Sequence, residues 1–328
     1  MTAIDTVNSG LRFLDLAEDS ALTVPEPARR ACALGWTGIA AAVIDAGRAR
    51  RLLDSAETVV KGAASHLREE ALVAIAAGFC RMDPPRTDKI LRKLGDQGRQ
   101  SLVDVIVTTI GASEPARAEA YCKALRKEPH RFSALAALVG QVTQPSTRDQ
   151  LTADVEQWAA VHTLDTAPVI AALGASFAES DPARARRILA RAESMVGHEV
   201  GRVAKVEALS SIAEAYAPID RRKARTLLDE ALKLTEDIGI FLGDLAGDRS
   251  AAFYAIDVAM ASLDAAEAYG NAMRIKNDET RAMAQAGIAY KSLDSDLNQA
   301  EEYAKGIDDA RWRSVAFALM ARALLVDS

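Results

Sequence analysis

The sequence predicts an all-α protein: a right-handed α-solenoid of about eight helix–turn–helix repeats with terminal capping helices. A register of six positions recurs along the chain with identical offsets between its members. Two of its copies are Ile75, Phe79, Asp83, Thr87, Leu91, Leu94 and Ile212, Tyr216, Asp220, Ala224, Leu228, Ala231. Successive copies lie about 31 to 41 residues apart, which is the length of a repeating helix pair. Only 5% of the residues are aromatic, so the apolar residues are mostly aliphatic and rich in alanine, which favours helices packed at close range.

Each copy is numbered here from an anchor residue near the start of its second helix. The anchors are Ala49, Thr87, Ala118, Leu151, Ala185, Ala224, Ala265 and Ala300. Apolar or small residues recur four and seven positions after the anchor, which is the stripe of a helix buried on one side. A matching stripe lies twelve and eight positions before it. Each repeat is therefore predicted to be a helix A, a short turn and a helix B.

A residue that can cap a helix stands four positions before most anchors. These residues are Asp45, Asp83, Glu114, Thr147, Asp181, Asp220 and Asp296. An aspartate there accepts hydrogen bonds from the unpaired amides of the first turn and opposes the positive end of the helix dipole. Pro84, Pro115 and Pro182 follow directly, and proline is favoured at the first helical position. We interpret these acids as helix starts and not as catalytic acids.

The chain is predicted to form a single solenoid over residues 1–328. Residues 1–26 are a capping segment with a helix from about Ser9 to Ala17, residues 27–308 are repeats, and residues 309–328 are a C-terminal capping helix. Terminal repeats of such stacks need a polar outer face. The repeat anchored at Ala265 is predicted to have a shorter turn.

The segment from Asp237 to Asp248 departs from the repeat pattern. Its glycines Gly239, Gly243 and Gly247 stand four residues apart. The segment is an insertion between repeats or an extended helix B whose small face admits a neighbour, or else a flexible loop for a ligand or partner. It is not a phosphate loop, because no Lys-Ser/Thr pair follows the glycines.

The spacing Leu173-Gly174-x-x-Phe177, followed by Ala185, Leu189 and Ala192, resembles the tetratricopeptide (TPR) repeat. The segments from Ala178 to Ala185 and from Ile307 to Arg313 resemble the degenerate Ala-rich repeats of bacterial signalling proteins, including the sensor ends of some STAND-type ATPases. The chain contains no GxxxxGK[S/T] motif. What the resemblance implies is therefore binding, by a sensor or scaffold part alone.

No catalytic or metal-binding motif stands out. HExxH and GxSxG are absent from the sequence, and the four histidines, whose spacing suits no metal site, lie near junctions between a helix B and the next helix A. They are His66, His130, His162 and His198. We predict no metal, no cofactor and no enzymatic activity, although a site made of dispersed carboxylates is an alternative.

The three cysteines form no CxxC pair, and their odd number argues against a disulfide framework. They are Cys32, Cys80 and Cys122, and we interpret them as buried thiols in a reducing compartment. The sequence begins without a basic region followed by an apolar run, and no apolar run approaches about 20 residues. These features predict a cytoplasmic protein without a membrane span.

Arginine runs recur at the starts of helices B. They are Arg48, Arg50 and Arg51; Arg184, Arg186, Arg187 and Arg191; Arg221, Arg222 and Arg225. One interpretation is a solvated face paired with acids such as Asp54, Glu193 and Asp229. The other is a basic ridge for an acidic partner or nucleic acid.

The remaining candidate is the concave face that helices A line in TPR stacks. Its predicted partner-binding residues are Val73, Ala77, Asp104, Thr108, Ala171, Ala175, Glu207, Ser210, Glu214, Ala286 and Tyr290. The set is small and partly acidic, and it suits a basic or apolar segment better than a carboxyl-terminal peptide. We therefore predict a non-catalytic protein–protein interaction scaffold, adaptor or sensor. The alternative is a regulator that senses a small molecule or peptide inside the superhelix, and self-association stays open.

The net charge of −6 argues against non-specific nucleic-acid binding, which needs a basic footprint. We expect no shift of duplex or single-stranded DNA in an electrophoretic assay at low salt. A shift that weakens as salt is added would instead assign the arginine runs to nucleic acid.

Overall fold

The computed structural model describes residues 3–64, 68–163, 166–199, 201–236 and 246–326. In these ranges the chain is all helical and has no strand, so the predicted all-α class is confirmed. The helices are α1 (Ala3–Thr23), α2 (Pro27–Ala41), α3 (Ala46–Lys61), α4 (Arg68–Met82), α5 (Pro84–Leu91), α6 (Asp96–Ile110), α7 (Pro115–Lys123), α8 (Glu128–Gln141), α9 (Pro145–Val161), α10 (Thr166–Ala175), α11 (Pro182–Met195), α12 (Arg202–Tyr216), α13 (Arg221–Glu236), α14 (Ala246–Ala261), α15 (Ala265–Ala272), α16 (Asp278–Lys291), α17 (Leu297–Lys305) and α18 (Ala310–Val326).

The chain divides into two compact units. Unit 1 is Met1–Thr109 together with Gln285–Ser328, and unit 2 is Ile110–Ala284. In unit 2 the helices α8, α10, α12 and α14 pack side by side in that order. Within the units, pairs that follow one another along the chain also pack together, as α2 does with α3, α10 with α11 and α12 with α13. The predicted division into residues 1–26, 27–308 and 309–328 stays a prediction.

Burial confirms that the register residues form the seams between helices. Six predicted anchors have no solvent exposure at all: Ala49, Thr87, Ala118, Ala185, Ala224 and Ala300. The residues seven positions after them, such as Leu94, Ala192 and Ile307, are buried as well. Since alanine adds little bulk, these seams bring helix backbones close together.

The predicted caps are confirmed at most helix starts. The side chain of Asp45 accepts a hydrogen bond from the backbone N–H of Arg48 at 2.8 Å, and Asp181 accepts one from Arg184 at 2.9 Å. Asp83, Asp220 and Asp296 act in the same way. Glu114 is different, because its side chain makes no capping hydrogen bond and pairs with Arg117 at 2.7 Å instead.

Thr147 does not start a helix, so this prediction is wrong. Helix α9 begins at Pro145, and Gln144 holds the capping position. The fixed φ of proline sets the first helical residue, and no aspartate competes with it there. Thr147 therefore lies inside the first turn, where its hydroxyl contacts the Gln144 side chain at 3.2 Å.

The anchor at Ala265 is also misplaced. Asp264 caps α15 by accepting from the N–H of Glu267 at 2.9 Å, so the residue four positions after the cap is Ala268. Ala268 is fully buried, as are Ala272 and Ile275, whereas Ala265 is half exposed. The turn is not shorter. The anchor was predicted three residues too early because residues three positions apart lie on the same face of a helix, so the apolar pattern fits both positions.

An arginine that recurs near the start of helices A ties each to the segment before it. The guanidinium of Arg99 donates to the carbonyl of Leu94 at 2.9 Å, and that of Arg281 donates to Ile275 at 3.0 Å. The same contact is made by Arg30, Arg68 and Arg313. A cation at the C-terminal end of the preceding helix satisfies a free carbonyl and opposes the negative end of the helix dipole.

Helices α1 and α18, predicted as terminal caps, form a helix pair with each other in unit 1. The Ser314 hydroxyl donates to the carbonyl of Ala17 at 2.8 Å, and the rings of Phe13 and Phe317 lie 5.8 Å apart. Helix α18 also packs against α2, as one helix A packs on the next. Helix α1 thus takes the place of helix B for α18.

Ion pairs join α1 to α17 on one side and to α3 on the other, and both of these are helices B. Arg12 of α1 contacts Glu301 of α17, and Arg48 of α3 contacts Glu18 of α1. Arg311 of α18, only 2% exposed, donates to Glu70 of α4 at 2.7 Å. Unit 1 therefore runs from α17 through the α18–α1 pair to α4 without a break in the packing.

A pair of glycine substitutions tests the close packing of helices. A Cβ added at Gly35 of α2 would lie 2.7 Å from the Cβ of Ala74 and 3.1 Å from its backbone carbonyl carbon. We expect Gly35→Ala to lower the free energy of unfolding by about 1–3 kcal/mol, because backbone has to move. The measurement is urea denaturation.

Gly270→Ala is the matched control. A Cβ at Gly270 meets no atom of the described residues within 4 Å, so alanine in this helix is expected to raise the free energy of unfolding by about 0.5–1 kcal/mol. Equal effects of the two substitutions would contradict close packing at Gly35.

Candidate functional site

The predicted partner-binding residues of unit 1 fall into a buried and an exposed group. The buried ones are Val73, Ala77 and Ala286. The exposed ones are Asp104 and Thr108 on α6 and Tyr290 at the end of α16. A partner in contact with this face would meet the second group, and the assignment of the whole set stays a prediction.

Arg322 of α18 brings the exposed group of unit 1 together. Its guanidinium donates to the backbone carbonyl of Thr108 at 2.7 Å. Burial lowers the pKa of Arg322, and the neighbouring Tyr290 acts in the opposite direction. Helices α6, α16 and α18 therefore converge on one polar patch, which we call the unit 1 patch: Asp104, Thr108, Tyr290 and Arg322.

Asp104 is the titratable acid of the unit 1 patch. It lies one helical turn before Thr108, and its side chain keeps contact with solvent. Surrounding helices displace much of the water around the carboxylate, and this loss of solvation raises its pKa to about 6. Asp104 thus changes charge close to neutral pH, where binding of a cation would favour the ionised form.

In unit 2 the predicted residues also divide by burial. Ala171 and Ser210 are buried, Ala175 and Glu207 are exposed, and Glu214 is half-buried. Burial, followed by the charge of Glu214, raises the pKa of Tyr254 on the neighbouring helix α14. Tyr254 therefore belongs to the same face of α12 and α14 as Glu214.

Sequence reasoning missed Arg322 and Tyr254. Counted from the corrected anchor Ala268, Tyr254 stands fourteen positions before it, as Ser210 does before Ala224. Arg322 follows Arg313 by nine residues, the spacing of Tyr290 from Arg281. Counting from the caps and from the recurrent arginines would have found both residues.

Unit 2 also holds a buried carboxyl group. Asp257 of α14 has no solvent exposure, and neither of its oxygens has a hydrogen-bond partner among the described residues. Burial raises its pKa to about 8, and the charge of Arg274 acts in the opposite direction. Asp257 is therefore mostly protonated at neutral pH.

The cysteines and His162 have structural surroundings. All three cysteines are buried, and burial raises the pKa of Cys32 well above its usual value. The ring of His162 contacts the carbonyl of Trp158 at 2.8 Å, as expected for a helix end. In the described ranges no group of three His, Cys, Asp or Glu side chains is placed to hold a metal ion. The segment from Asp237 to Asp248, predicted as an insertion, an extended helix B or a binding loop, lies mainly outside the described residues.

Of the three acids expected to pair with the arginine runs, Asp229 does so, with Arg225 at 3.1 Å. Asp54 pairs instead with Arg86 at 2.8 Å and Glu193 with Lys223 at 2.6 Å, and neither of these cations belongs to a run. Arg184, Arg187 and Arg191 of α11 behave differently. They line a cleft of about 230 Å³ between α9, α10 and α11, together with Glu156.

Comparison of the chain with protein-family models, with curated proteins and with solved structures finds no match. Within the described part of the chain, every helix is too short or too polar to pass through a lipid bilayer.

The pKa of Asp257 makes stability depend on pH. Unfolding returns this carboxyl to its ordinary pKa of 3.8, so between pH 3.8 and about 8 the unfolded state releases a proton that the folded state keeps. Stability therefore falls as pH rises through this window, by at most about 1.4 kcal/mol per pH unit. We expect Asp257→Asn to remove this slope and to raise the melting temperature most at the upper end of the window. Differential scanning calorimetry across the window measures this.

Asp149→Asn is the control, because it removes one negative charge from an exposed position. If this variant and Asp257→Asn gave the same pH profile, the slope would not belong to Asp257.

Proposed function

We propose that the protein is a non-catalytic interaction module, acting as a scaffold, adaptor or sensor in the cytoplasm. Its framework in this proposal is a right-handed α-solenoid of about eight TPR-like repeats, and its partner is a protein or peptide segment. The recurrence of cap, anchor and arginine tie from one helix pair to the next supports a repeat architecture. Repeat stacks present extended faces, which suits binding of a segment.

The observation that carries the proposal is the unit 1 patch. Asp104 and Thr108 of α6 and Tyr290 of α16 are each exposed, although the sequence separates α6 and α16 widely. Arg322 links the two helices, because it donates to the carbonyl of Thr108 and lies near Tyr290. An acid, a hydroxyl and a 38% exposed phenol ring form a mixed surface of the kind that interfaces use.

The chemistry of the patch favours a segment with one basic side chain next to an apolar one. A lysine or arginine of the partner would pair with Asp104, while the ring of Tyr290 offers apolar contact and a hydroxyl. Because a bound cation favours the ionised carboxylate, it would lower the pKa of Asp104 from about 6. The affinity of such a segment therefore rises as pH increases through that value.

Affinity capture with the full chain tests the proposal. Wild-type protein and Asp104→Asn are immobilised, and proteins retained from the native host are quantified at one pH below and one above the pKa of Asp104. We expect a partner retained by wild type more strongly at the higher pH, and about tenfold weaker binding to Asp104→Asn, as for loss of one charged hydrogen bond.

Asp149→Asn again provides the charge-matched control and should retain the same partner as wild type. Synthetic basic and apolar peptides derived from that partner would then be titrated directly. Equal retention by wild type and Asp104→Asn at both pH values would refute a partner site at this patch.

A further inference from the structure

Ion pairs between neighbouring helices B recur in the fold. Arg86 of α5 contacts Asp54 and Glu57 of α3, and Lys223 of α13 contacts Glu193 of α11. In each case the cation stands one position before an anchor. Arg184 of α11 holds the same position.

The place where Arg184 would pair is open. In the ranges that the structure describes, no ion pair joins α9 to α11, although Glu156 of α9 and Arg184 both line the cleft. The guanidinium of Arg184 lies instead over the ring of Phe177, 4.1 Å from its centroid. Where other neighbouring helices B are joined by an ion pair, α9 and α11 are separated by a cleft of about 230 Å³.

The cleft carries excess positive charge. Arg184, Arg187 and Arg191 lie on one face of α11, and among the described residues Glu156 is the only acid in the lining. None of the three arginines forms an ion pair with a described acidic side chain. The lining therefore has three positive charges against one negative, which suits a ligand with two negative charges.

Neighbouring groups hold one wall of the cleft in place. Arg148 of α9 also stacks on Phe177, at 4.6 Å, and donates to the carbonyl of Ser176 at 2.7 Å. Phe177 is thus covered by two guanidinium groups, which fixes Arg184 before any ligand arrives. Such a planar, oriented guanidinium matches the oxygens of a phosphate group well.

The remaining lining is apolar. Ile170 and Leu173 of α10 and Ile188 of α11 form its floor, and Ile188 has the largest exposed fraction of the three. Ligand sites commonly combine an apolar lining with a few charged groups that orient the ligand. The cleft therefore suits a molecule with a charged end and an apolar body.

We propose that this cleft binds the phosphate monoester of a small organic molecule, with the phosphate among Arg184, Arg187 and Arg191 and the apolar part against Ile188. The site lies in unit 2 and does not depend on partner binding by the unit 1 patch. Its volume fits a small molecule, and a phosphate monoester carries about two negative charges at neutral pH.

Isothermal titration calorimetry with phenyl phosphate tests the proposal at low ionic strength and neutral pH. We expect saturable binding that weakens as salt is added. Phenyl sulfate carries one charge instead of two, and inorganic phosphate lacks the apolar ring, so both should bind about tenfold more weakly or worse. Equal binding of inorganic phosphate and phenyl phosphate would overturn the proposed ligand class.

Two variants make the test specific to the cleft. Arg187→Ala with Arg191→Ala should weaken binding of phenyl phosphate by about tenfold or more. Glu156→Gln removes the opposing charge and should tighten binding, an effect that damage to the fold would not produce. The control is Arg50→Ala with Arg222→Ala, which removes two exposed arginines that do not line the cleft.

The control should bind phenyl phosphate as wild type does. Absence of saturable binding to wild type at low ionic strength would overturn the proposal. So would undiminished binding to the Arg187→Ala, Arg191→Ala variant, or weaker binding to Glu156→Gln.

Discussion

Close approach of helix backbones is the constraint on which the rest of this structure depends. The anchors are fully buried alanines in most repeats, and in three repeats a glycine stands eleven positions before the anchor. A Cβ at Gly38 would lie 2.8 Å from Leu53, and one at Gly174 would lie 2.6 Å from Leu189. Helices A and B therefore interlock, with a glycine facing a leucine.

The matching of residue sizes between helices A and B also explains how the fold accommodates the Asp257 side chain. This residue holds the position in α14 that Gly38 and Gly174 hold in α2 and α10. Ala272 stands where those two repeats have Leu53 and Leu189. A smaller residue on helix B thus leaves space for a larger one on helix A. The cost is a buried carboxyl that no described residue hydrogen-bonds.

Local patterns made the fold class, the seams and most caps predictable, because each depends on residues a few positions apart. The anchor in α15 was misplaced because a shift of three residues preserves a helical stripe. The pairing of α1 with α18 joins Ala17 to Ser314, 297 residues apart, and no local signal reports it. The unit 1 patch was found in part, since the positions were counted from anchors on helices B, whereas Arg322 is located by its spacing from Arg313 on the same helix. The cleft could not be predicted from the sequence, because it depends on the distance between α9 and α11 in the folded chain.

The pairing of α1 with α18 affects how the protein folds during its synthesis on the ribosome. Phe13 and Leu14 of α1 have no solvent exposure in the fold, yet the helix that pairs with α1 is synthesised almost 300 residues later. At 5–20 residues per second, α1 waits roughly 15 to 60 s for its partner. During that time its apolar face is open to chaperones or to other nascent chains. Completion of unit 1 is thus a late, long-range step that loop-closure entropy slows.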